Sequence, residues 1–215
     1  MHLLFDLDGT LTDPKQGFVA SIRYALSSLG VEIGVDVQLE SCIGPPLRDT
    51  LTALCGDARI AEDAVALYRE RYSTLGLYEN QVYDGIPECL EQLVDRVESI
   101  HVATSKPTIY SERIIENFEL GQYFNGVYGS ELDGRFDDKT ELINHILRRE
   151  SLDPENTVMI GDRRFDVIGA RNNDISVIGV LWGYGEEDEL NQAGADRLCS
   201  HPRELHDHLF GESAD

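Results

Sequence analysis

Short apolar runs and longer amphipathic stretches alternate along the chain from Pro87 onwards. A short apolar run is typical of a buried parallel strand, and apolar residues three or four positions apart are typical of a helix that covers such a sheet. The alternation predicts an α/β fold, with a parallel sheet and helices on both of its faces. The predicted strands are His2–Phe5, Ile100–Ala103, Gly126–Tyr128, Val158–Ile160 and Val177–Leu181, and the predicted helices are Pro87–Val97, Ile109–Phe118, Lys139–Arg149 and Phe165–Asn172.

The segment between the first predicted strand and Tyr83 has a different pattern. Apolar side chains at helical spacing predict one helix that Gly30 ends and a second helix further on, with no strand between them. The apolar side chains are Phe18, Ile22, Ala25, Leu26 and Leu29 for the first helix, and Ala64, Leu67, Tyr68, Tyr72 and Leu75 for the second. We therefore expect a core domain formed by residues 1–13 and 81–215, and an inserted all-helical subdomain formed by residues 14–80.

The composition limits the classes of protein to consider. The chain has 215 residues, of which 41% are hydrophobic and 27% charged, and this length is enough for one sizeable core with a smaller inserted domain. Forty acidic against eighteen basic side chains give a formal net charge of −22 at pH 7. Because nucleic acids are bound by basic side chains that neutralise phosphates, we expect no nucleic-acid partner.

Neither the cysteines nor the apolar runs indicate export or membrane insertion. The four cysteines are Cys42, Cys55, Cys89 and Cys199. They are scattered and form no C-x-x-C pair, so we expect reduced thiols rather than disulfides or a zinc site. The sequence has no signal-peptide pattern and no apolar run of membrane-spanning length, so we expect a cytoplasmic protein without a membrane partner.

The strongest local signal is the first predicted strand and the residues that follow it, Asp6-Leu7-Asp8-Gly9-Thr10. In an open α/β sheet, ligands bind beyond the carboxyl ends of the strands, and strand alternation points Asp6 and Asp8 to the same side. Two carboxylates so close together repel each other unless a cation is bound or one of them keeps its proton. A solvated acidic turn is the simpler alternative. A calcium-binding EF-hand loop does not fit, because its glycine is the sixth residue whereas Gly9 is the fourth from Asp6.

Asp-Leu-Asp-Gly-Thr after an apolar strand resembles the first motif of the haloacid dehalogenase superfamily, in which three further motifs follow in a fixed order. Thr104 at a strand end is similar to the second motif, Lys139 at a helix start to the third, and Asp162 with Asp166 after a strand to the fourth. The four motifs, in order, span residues 6–166. The resemblance therefore implies a Rossmann-like core.

Each of the later motifs also has a simpler interpretation. Thr104 and Ser105 stand shortly before a proline and could initiate a turn. Lys139 could be a surface lysine, and Lys106 is its rival for the functional position. Asp166 could be an acidic residue at a helix N-terminus, where the helix dipole favours negative charge.

The resemblance implies a mechanism and a cofactor. Asp6 would attack a phosphate ester to form an aspartyl-phosphate, and Asp8 would act as general acid and then as general base. Mg²⁺ would be held by Asp6, by the backbone carbonyl of Asp8 and by Asp162, with Asp166 acting through water or from the outer shell.

The remaining motif residues would bind the phosphoryl group that is transferred. The Thr104 hydroxyl and the backbone N–H of Ser105 would donate hydrogen bonds to its oxygens, and Lys139 would place a positive charge beside it.

By the same resemblance, residues 14–80 form a helical cap that closes over the core and whose loops choose the substrate. The segments 43–48, 76–80 and 82–87 are similar to the phosphoglycolate phosphatase branch, and most of all to its bacterial 5′-nucleotidase-like members. Arg48 in the first of these segments is the candidate contact for a substrate anion, and a solvated cap arginine is the alternative. We expect a small phosphorylated metabolite as substrate and a monomer or homodimer as the assembly.

Other function classes fit the residues less well. Dehalogenases of the superfamily lack the second aspartate, whereas Asp8 is present. Sugar-phosphate mutases similar to β-phosphoglucomutase carry a histidine shortly after the first motif, and residues 13–17 contain none. A signalling receiver domain has its acceptor aspartate in mid-chain, and a non-catalytic phospho-ligand binder would have lost Asp6 or Asp8. A hydrolase is favoured, and the mutase and the non-catalytic binder remain alternatives.

Overall fold

A parallel sheet lies at the centre of the larger part of the molecule, which the computed structural model describes over residues 1–34 and 37–211. The strands are β1 (His2–Phe5), β2 (Thr12–Asp13), β3 (Gln81–Val82), β4 (Ser99–Pro107), β5 (Gly126–Ser130), β6 (Thr157–Gly161), β7 (Ser176–Val180) and β8 (Arg197–Cys199). The α-helices are α1 (Lys15–Ser28), α2 (Leu47–Cys55), α3 (Ala58–Arg71), α4 (Ile86–Val94), α5 (Thr108–Asn117), α6 (Lys139–Glu150), α7 (Arg164–Arg171), α8 (Glu187–Ala193) and α9 (Leu205–Phe210).

Six of the strands pair in the order β5-β4-β1-β6-β7-β8, and every neighbouring pair is parallel. The predicted α/β class and the five predicted strands are confirmed. Strand β4 continues to Pro107, beyond the predicted end at Ala103. The prediction ended too early because the last residues of the strand are polar and do not continue the apolar run.

Strand β1 is buried on both faces. Leu3, Leu4 and Phe5 have no exposed surface. Leu3 and Phe5 pack into one hydrophobic core and Leu4 into the other, as the alternation of side chains along a strand requires. A strand covered on both faces has a continuous apolar sequence, which is why β1 could be predicted without a polar–apolar alternation.

Helix α6 shows how the local sequence fixes where a core helix begins and ends. The side chain of Asp138 accepts a hydrogen bond from the backbone N–H of Glu141 at 3.0 Å and so caps the N-terminus. Ser151 adopts a left-handed conformation with φ of 57° just after the last helical residue. The apolar stripe between these ends, Leu142, Ile143, Ile146 and Leu147, is buried. Lys139 is therefore the first residue of the helix, and its side chain is buried as well.

The segment between the first strand and Tyr83 is helical, with the antiparallel pair β2–β3 at its two ends. Among the described residues, no strand lies between helices α1, α2 and α3, as predicted. Strands of two residues, such as β2 and β3, are too short to give a periodic pattern, and the sequence did not indicate them. Helix α2 was also missed, because Pro45 and Pro46 before it indicate a turn. The division of the chain into a core of residues 1–13 and 81–215 and a cap of residues 14–80 stays a prediction.

The far edge of the sheet was not predicted either. Strand β8 has three residues, of which Arg197 is exposed, so it has no apolar run that could mark it.

The four cysteines carry free thiols in the structure. Within the described ranges, no helix is both long and apolar enough to cross a bilayer.

Candidate active site

Three neighbouring strands bring the predicted motif residues to one edge of the sheet. Asp6 follows β1, Thr104 lies in the last part of β4, and Asp162 follows β6. Because these strands are adjacent and parallel, their carboxyl ends meet at the same edge. All three side chains are buried. Asp6, Asp8, Thr104 and Ser105 line one cavity, whose other wall is formed by the helical segment.

Three buried carboxylates lie together in this site. Asp6, Asp162 and Asp166 can each place a carboxylate oxygen within 4.8 Å of the other two. One oxygen of Asp162 accepts a hydrogen bond from the backbone N–H of Tyr184 at 2.7 Å, and the other is buried with no partner among the described residues. Burial, together with the nearby charges of Asp166 and Asp6, raises the pKa of Asp162 well above its ordinary value. Converging carboxylate oxygens with an unsatisfied lone pair fit a hard divalent cation such as Mg²⁺.

Asp166 has two functions in the local structure. It accepts a hydrogen bond from the backbone N–H of Arg163 at 3.0 Å, which caps helix α7, and it belongs to the carboxylate group as well. The two interpretations of this residue, a helix-capping acid and a member of an acidic site, are therefore compatible.

The ammonium group of Lys139 lies between two of these carboxylates. Its Nζ is 3.1 Å from Asp6 Oδ1 and 2.8 Å from Asp166 Oδ1, and it donates a hydrogen bond to the backbone carbonyl of Ala103 at 2.9 Å. Burial by itself lowers the pKa of Lys139, but the carboxylates of Asp166 and Asp6 outweigh it and hold the pKa above its ordinary value. Lys139 is therefore a charged lysine that offsets part of the negative charge of the site.

Lys106 also lies in the site, with a different partner. Its Nζ is 2.6 Å from Asp8 Oδ2 and 4.7 Å from the centre of the Tyr72 ring, whose hydroxyl accepts a hydrogen bond from it. Burial raises the pKa of the Asp8 carboxyl, and the positive charge of Lys106 opposes that shift. From the sequence, Lys106 and Lys139 were alternatives for the lysine of the third motif. The structure places Lys106 beside Asp8 and Lys139 beside Asp6.

Two glycines pack against the acidic group, Gly9 in the loop after β1 and Gly183 in the loop after β7. Sequence reasoning gave the residues of the loop after β7 no role. Gly9 has φ of +87°, and a Cβ atom there would lie 2.2 Å from Asp162 Oδ2. A Cβ atom at Gly183 would lie 2.4 Å from the same oxygen, so Tyr184 can donate its N–H to Asp162 only because the preceding residue lacks a side chain. The glycines on both sides of Tyr184 were the signal that could have identified this contact.

Arg48 lines the cavity but is held by an acidic neighbour. Its Nε donates to Glu62 Oε1 at 2.5 Å, and its Nη2 donates to Glu62 Oε2 at 3.2 Å. Ser105 lines the cavity too, and its backbone carbonyl accepts a hydrogen bond from the Ser130 hydroxyl at 2.8 Å. The structure therefore brings together all the predicted site residues around the cavity and the adjoining carboxylates, with the Arg48 guanidinium already paired.

Several known proteins are similar to this chain over most of its length. A 5′-nucleotidase from Pseudomonas aeruginosa is 46% identical over 93% of this chain and 90% of that protein. Tyrosine-protein kinase PtkA from Mycobacterium tuberculosis is 37% identical and matches 88% of this chain and 65% of that protein. The crystal structure of a predicted phosphatase from Clostridium acetobutylicum has a TM-score of 0.93 and 38% identity, with 98% of both chains covered.

The family model described as haloacid dehalogenase-like hydrolase matches residues 3–180. These residues include all four of the motifs, from Asp6 to Asp166, and the whole helical segment. The resemblance found in the sequence is confirmed, and the chain belongs to the haloacid dehalogenase-like hydrolase family.

Proposed function

We propose that this protein hydrolyses the phosphomonoester of a small phosphorylated metabolite, with Mg²⁺ as cofactor and Asp6 as the nucleophile. The observation that carries the proposal is the pairing of each aspartate of the first motif with its own lysine. Asp6 lies 3.1 Å from Lys139 within a group of buried carboxylates, and Asp8 lies 2.6 Å from Lys106 beside the same cavity. Two neighbouring acids in such different surroundings are suited to different chemical roles.

In the first step, a carboxylate oxygen of Asp6 attacks the phosphorus atom and the bond between phosphorus and the ester oxygen breaks. Lys139 reduces the repulsion between Asp6 and the phosphate dianion, because it places a positive charge beside the carboxylate. Thr104 and Ser105 line the cavity, and in this proposal the Thr104 hydroxyl and the backbone N–H of Ser105 donate hydrogen bonds to the phosphoryl oxygens.

Asp8 transfers the protons in both steps. Its carboxyl group gives a proton to the leaving oxygen in the first step, and burial favours the protonated form that this step needs. In the second step, Asp8 takes a proton from a water molecule that attacks the phosphorus atom, and the bond between phosphorus and Asp6 breaks. The products are the alcohol and inorganic phosphate, and both aspartates return to their starting states.

Asp6, Asp162 and Asp166 would hold the magnesium ion, together with the backbone carbonyl of Asp8. When bound, the ion screens the repulsion between Asp6 and the phosphate, which is about 4 kcal/mol for two unit charges at ~4 Å and an effective dielectric of ~20. The unsatisfied oxygen of Asp162 supports this assignment.

A phosphate-release screen tests the proposal. Wild-type protein is assayed with nucleoside monophosphates, phosphoglycolate and sugar phosphates, with Mg²⁺ and with a chelator, beside Asp6→Asn. We expect release that requires Mg²⁺ and is absent in Asp6→Asn. A preference above tenfold between nucleotides and phosphoglycolate, about 1.4 kcal/mol, would assign the subtype. Release that is unchanged in Asp6→Asn would contradict the proposed nucleophile.

The similarity to a protein named as a tyrosine kinase adds one arm to this screen. An aspartyl-phosphate can pass its phosphoryl group to water or to another hydroxyl group, so the same Asp6 chemistry is compatible with phosphoryl transfer. ATP with a tyrosine peptide is therefore included as donor and acceptor. Phosphopeptide formation without release of phosphate from any monoester would replace hydrolysis by transfer as the function.

A further inference from the structure

Arg69, on helix α3, lines the same cavity as Asp6 and Asp8, and its guanidinium group has no hydrogen-bond acceptor among the described residues. Its Nε is buried and has no hydrogen-bond partner within residues 1–34 and 37–211. The guanidinium also takes part in none of the ion pairs of that part of the chain. Two other arginines of the helical segment are paired with carboxylates, Arg48 with Glu62 at 2.5 Å and Arg71 with Glu79 at 2.7 Å.

Scarcity of carboxylates does not explain the lack of a partner, because the chain has 40 acidic and 18 basic side chains. The charge of Arg69 acts on two nearby carboxylates, Glu62 and Asp137. Glu62 holds Arg48 through two hydrogen bonds, and Asp137 forms no ion pair with Arg69 within residues 1–34 and 37–211. Since a buried N–H without an acceptor is costly, an acceptor from outside the protein is expected at Arg69.

The cavity connects Arg69 with the proposed catalytic residues and is small. Its volume is about 80 Å³. One water molecule needs roughly 10–15 Å³, so the space admits several water-sized groups. A phosphoryl group at Asp6 therefore leaves room for a group that carries an oxygen acceptor towards Arg69.

We propose that Arg69 binds a carboxylate or carbonyl oxygen on the organic part of the substrate, and that Arg69 rather than the paired Arg48 selects the substrate. The inference rests on the proposed phosphatase function and narrows its substrate class to phosphomonoesters that carry such an oxygen acceptor. A guanidinium offers its N–H groups in a fixed plane, so it recognises a carboxylate through two parallel hydrogen bonds and a carbonyl through one.

Matched substrate pairs test this role and distinguish the two kinds of acceptor. Phosphoglycolate is compared with ethyl phosphate, which lacks the carboxylate, and uridine monophosphate with ribose 5-phosphate, which lacks the base carbonyls. The ratio of kcat/KM within each pair is measured for wild type, Arg69→Met and Arg48→Met. Methionine keeps an unbranched apolar side chain and removes the guanidinium, and Arg48 is the matched control on the same wall of the cavity.

We expect Arg69→Met to lower the ratio of one pair by about tenfold or more, the effect of one hydrogen bond to a charged group, mainly through KM. Arg48→Met is expected to leave both ratios within about twofold of wild type. A fall in the phosphoglycolate pair assigns a carboxylate, and a fall in the uridine monophosphate pair assigns a carbonyl. Ratios that Arg69→Met leaves unchanged in both pairs would overturn the inference while leaving the phosphatase function standing.

A second variant protects the test against misfolding. Arg69→Lys keeps the positive charge but has no buried Nε–H, so it should fold and reduce the same ratio by a smaller factor. Turnover of ethyl phosphate, which does not use Arg69, reports whether each variant retains its catalytic site. If both variants lost turnover of ethyl phosphate as much as turnover of phosphoglycolate, Arg69 would have no selective role. If the wild-type protein released phosphate from none of the substrates, the phosphatase function itself would be wrong.

Discussion

Lys139 Nζ lies 3.1 Å from Asp6 Oδ1, although one residue begins helix α6 and the other follows the first strand. The same ammonium lies 2.8 Å from Asp166 Oδ1, and all three side chains are buried. Three carboxylates and one lysine share this site, so the carboxylates repel one another unless a cation is bound or one of them keeps its proton. The stability of the protein should therefore depend on Lys139 and on magnesium.

Removal of the buried ammonium takes away the ion-pair partner that Asp6 and Asp166 share. We expect Lys139→Met to lower the free energy of unfolding by about 3–5 kcal/mol in magnesium-free buffer, the cost of breaking a buried ion pair. Urea denaturation followed by circular dichroism measures the change. Lys15→Met is the control, because Lys15 pairs with Glu40 at 3.2 Å on the surface and its loss should have almost no effect. Equal effects of the two substitutions would show that the charge of Lys139 does not support the fold.

Magnesium should stabilise the folded protein through Asp162. At a magnesium concentration of about 100 times Kd, binding adds ~2.7 kcal/mol, which corresponds to a rise in Tm of roughly 5–10 °C for a chain of this size. Asp162→Asn should abolish this rise, and it should raise the Tm of the metal-free protein, because burial disfavours the ionised form of Asp162. Differential scanning calorimetry at constant ionic strength measures both effects.

Asp63→Asn is the matched control for magnesium, because Asp63 is exposed on helix α3. It removes one negative charge from a protein with a net charge of −22 without touching the site. If Asp63→Asn reduced the magnesium-induced rise in Tm as much as Asp162→Asn does, magnesium would only be screening surface charge.

The effect of the close contact between Gly9 and Asp162 on stability can be measured separately from the effect of the positive φ of Gly9. Gly9 and Gly30 both have positive φ, +87° and +67°, but a Cβ atom at Gly30 would meet nothing within 4 Å. We expect Gly30→Ala to cost about 1 kcal/mol from the left-handed conformation alone. Gly9→Ala should cost more and should also weaken the stabilisation by magnesium, because its methyl group displaces the Asp162 carboxylate. Calorimetry with and without Mg²⁺ measures the stability of each variant and its stabilisation by magnesium. Equal losses of stability in the two variants, with unchanged stabilisation by magnesium, would contradict the contact between Gly9 and Asp162.

The sequence was sufficient for the residues that follow core strands. Asp6 and Asp162 come directly after short apolar runs, and parallel strands place the residues that follow them at one edge of the sheet. The position of a helix start could be predicted as well, because Asp138 caps α6 and puts Lys139 first. These features depend on local pattern and on the parallel topology.

Residues whose role depends on how the helical segment meets the core were not predictable. Tyr72 belongs to the apolar stripe that predicted a helix, and only the packing of that helix shows its hydroxyl against Lys106. Arg69 has an ordinary sequence context, and only the structure shows that it differs from Arg48 and Arg71 in forming no ion pair within the described part of the chain. The pairing of each lysine with one aspartate likewise depends on contacts between distant parts of the chain.

The central claim is that Asp6 carries the phosphoryl group and Asp8 moves the protons, and Asp8→Asn separates the two roles. With p-nitrophenyl phosphate, whose leaving group needs little protonation, the first step should proceed and the second should stall. We predict a burst of one p-nitrophenolate per protein molecule, followed by slow turnover, and a phosphoryl group that peptide mass spectrometry after acid quenching locates on Asp6. Turnover without a burst at the wild-type rate, or a phosphoryl group on any other residue, would contradict the account.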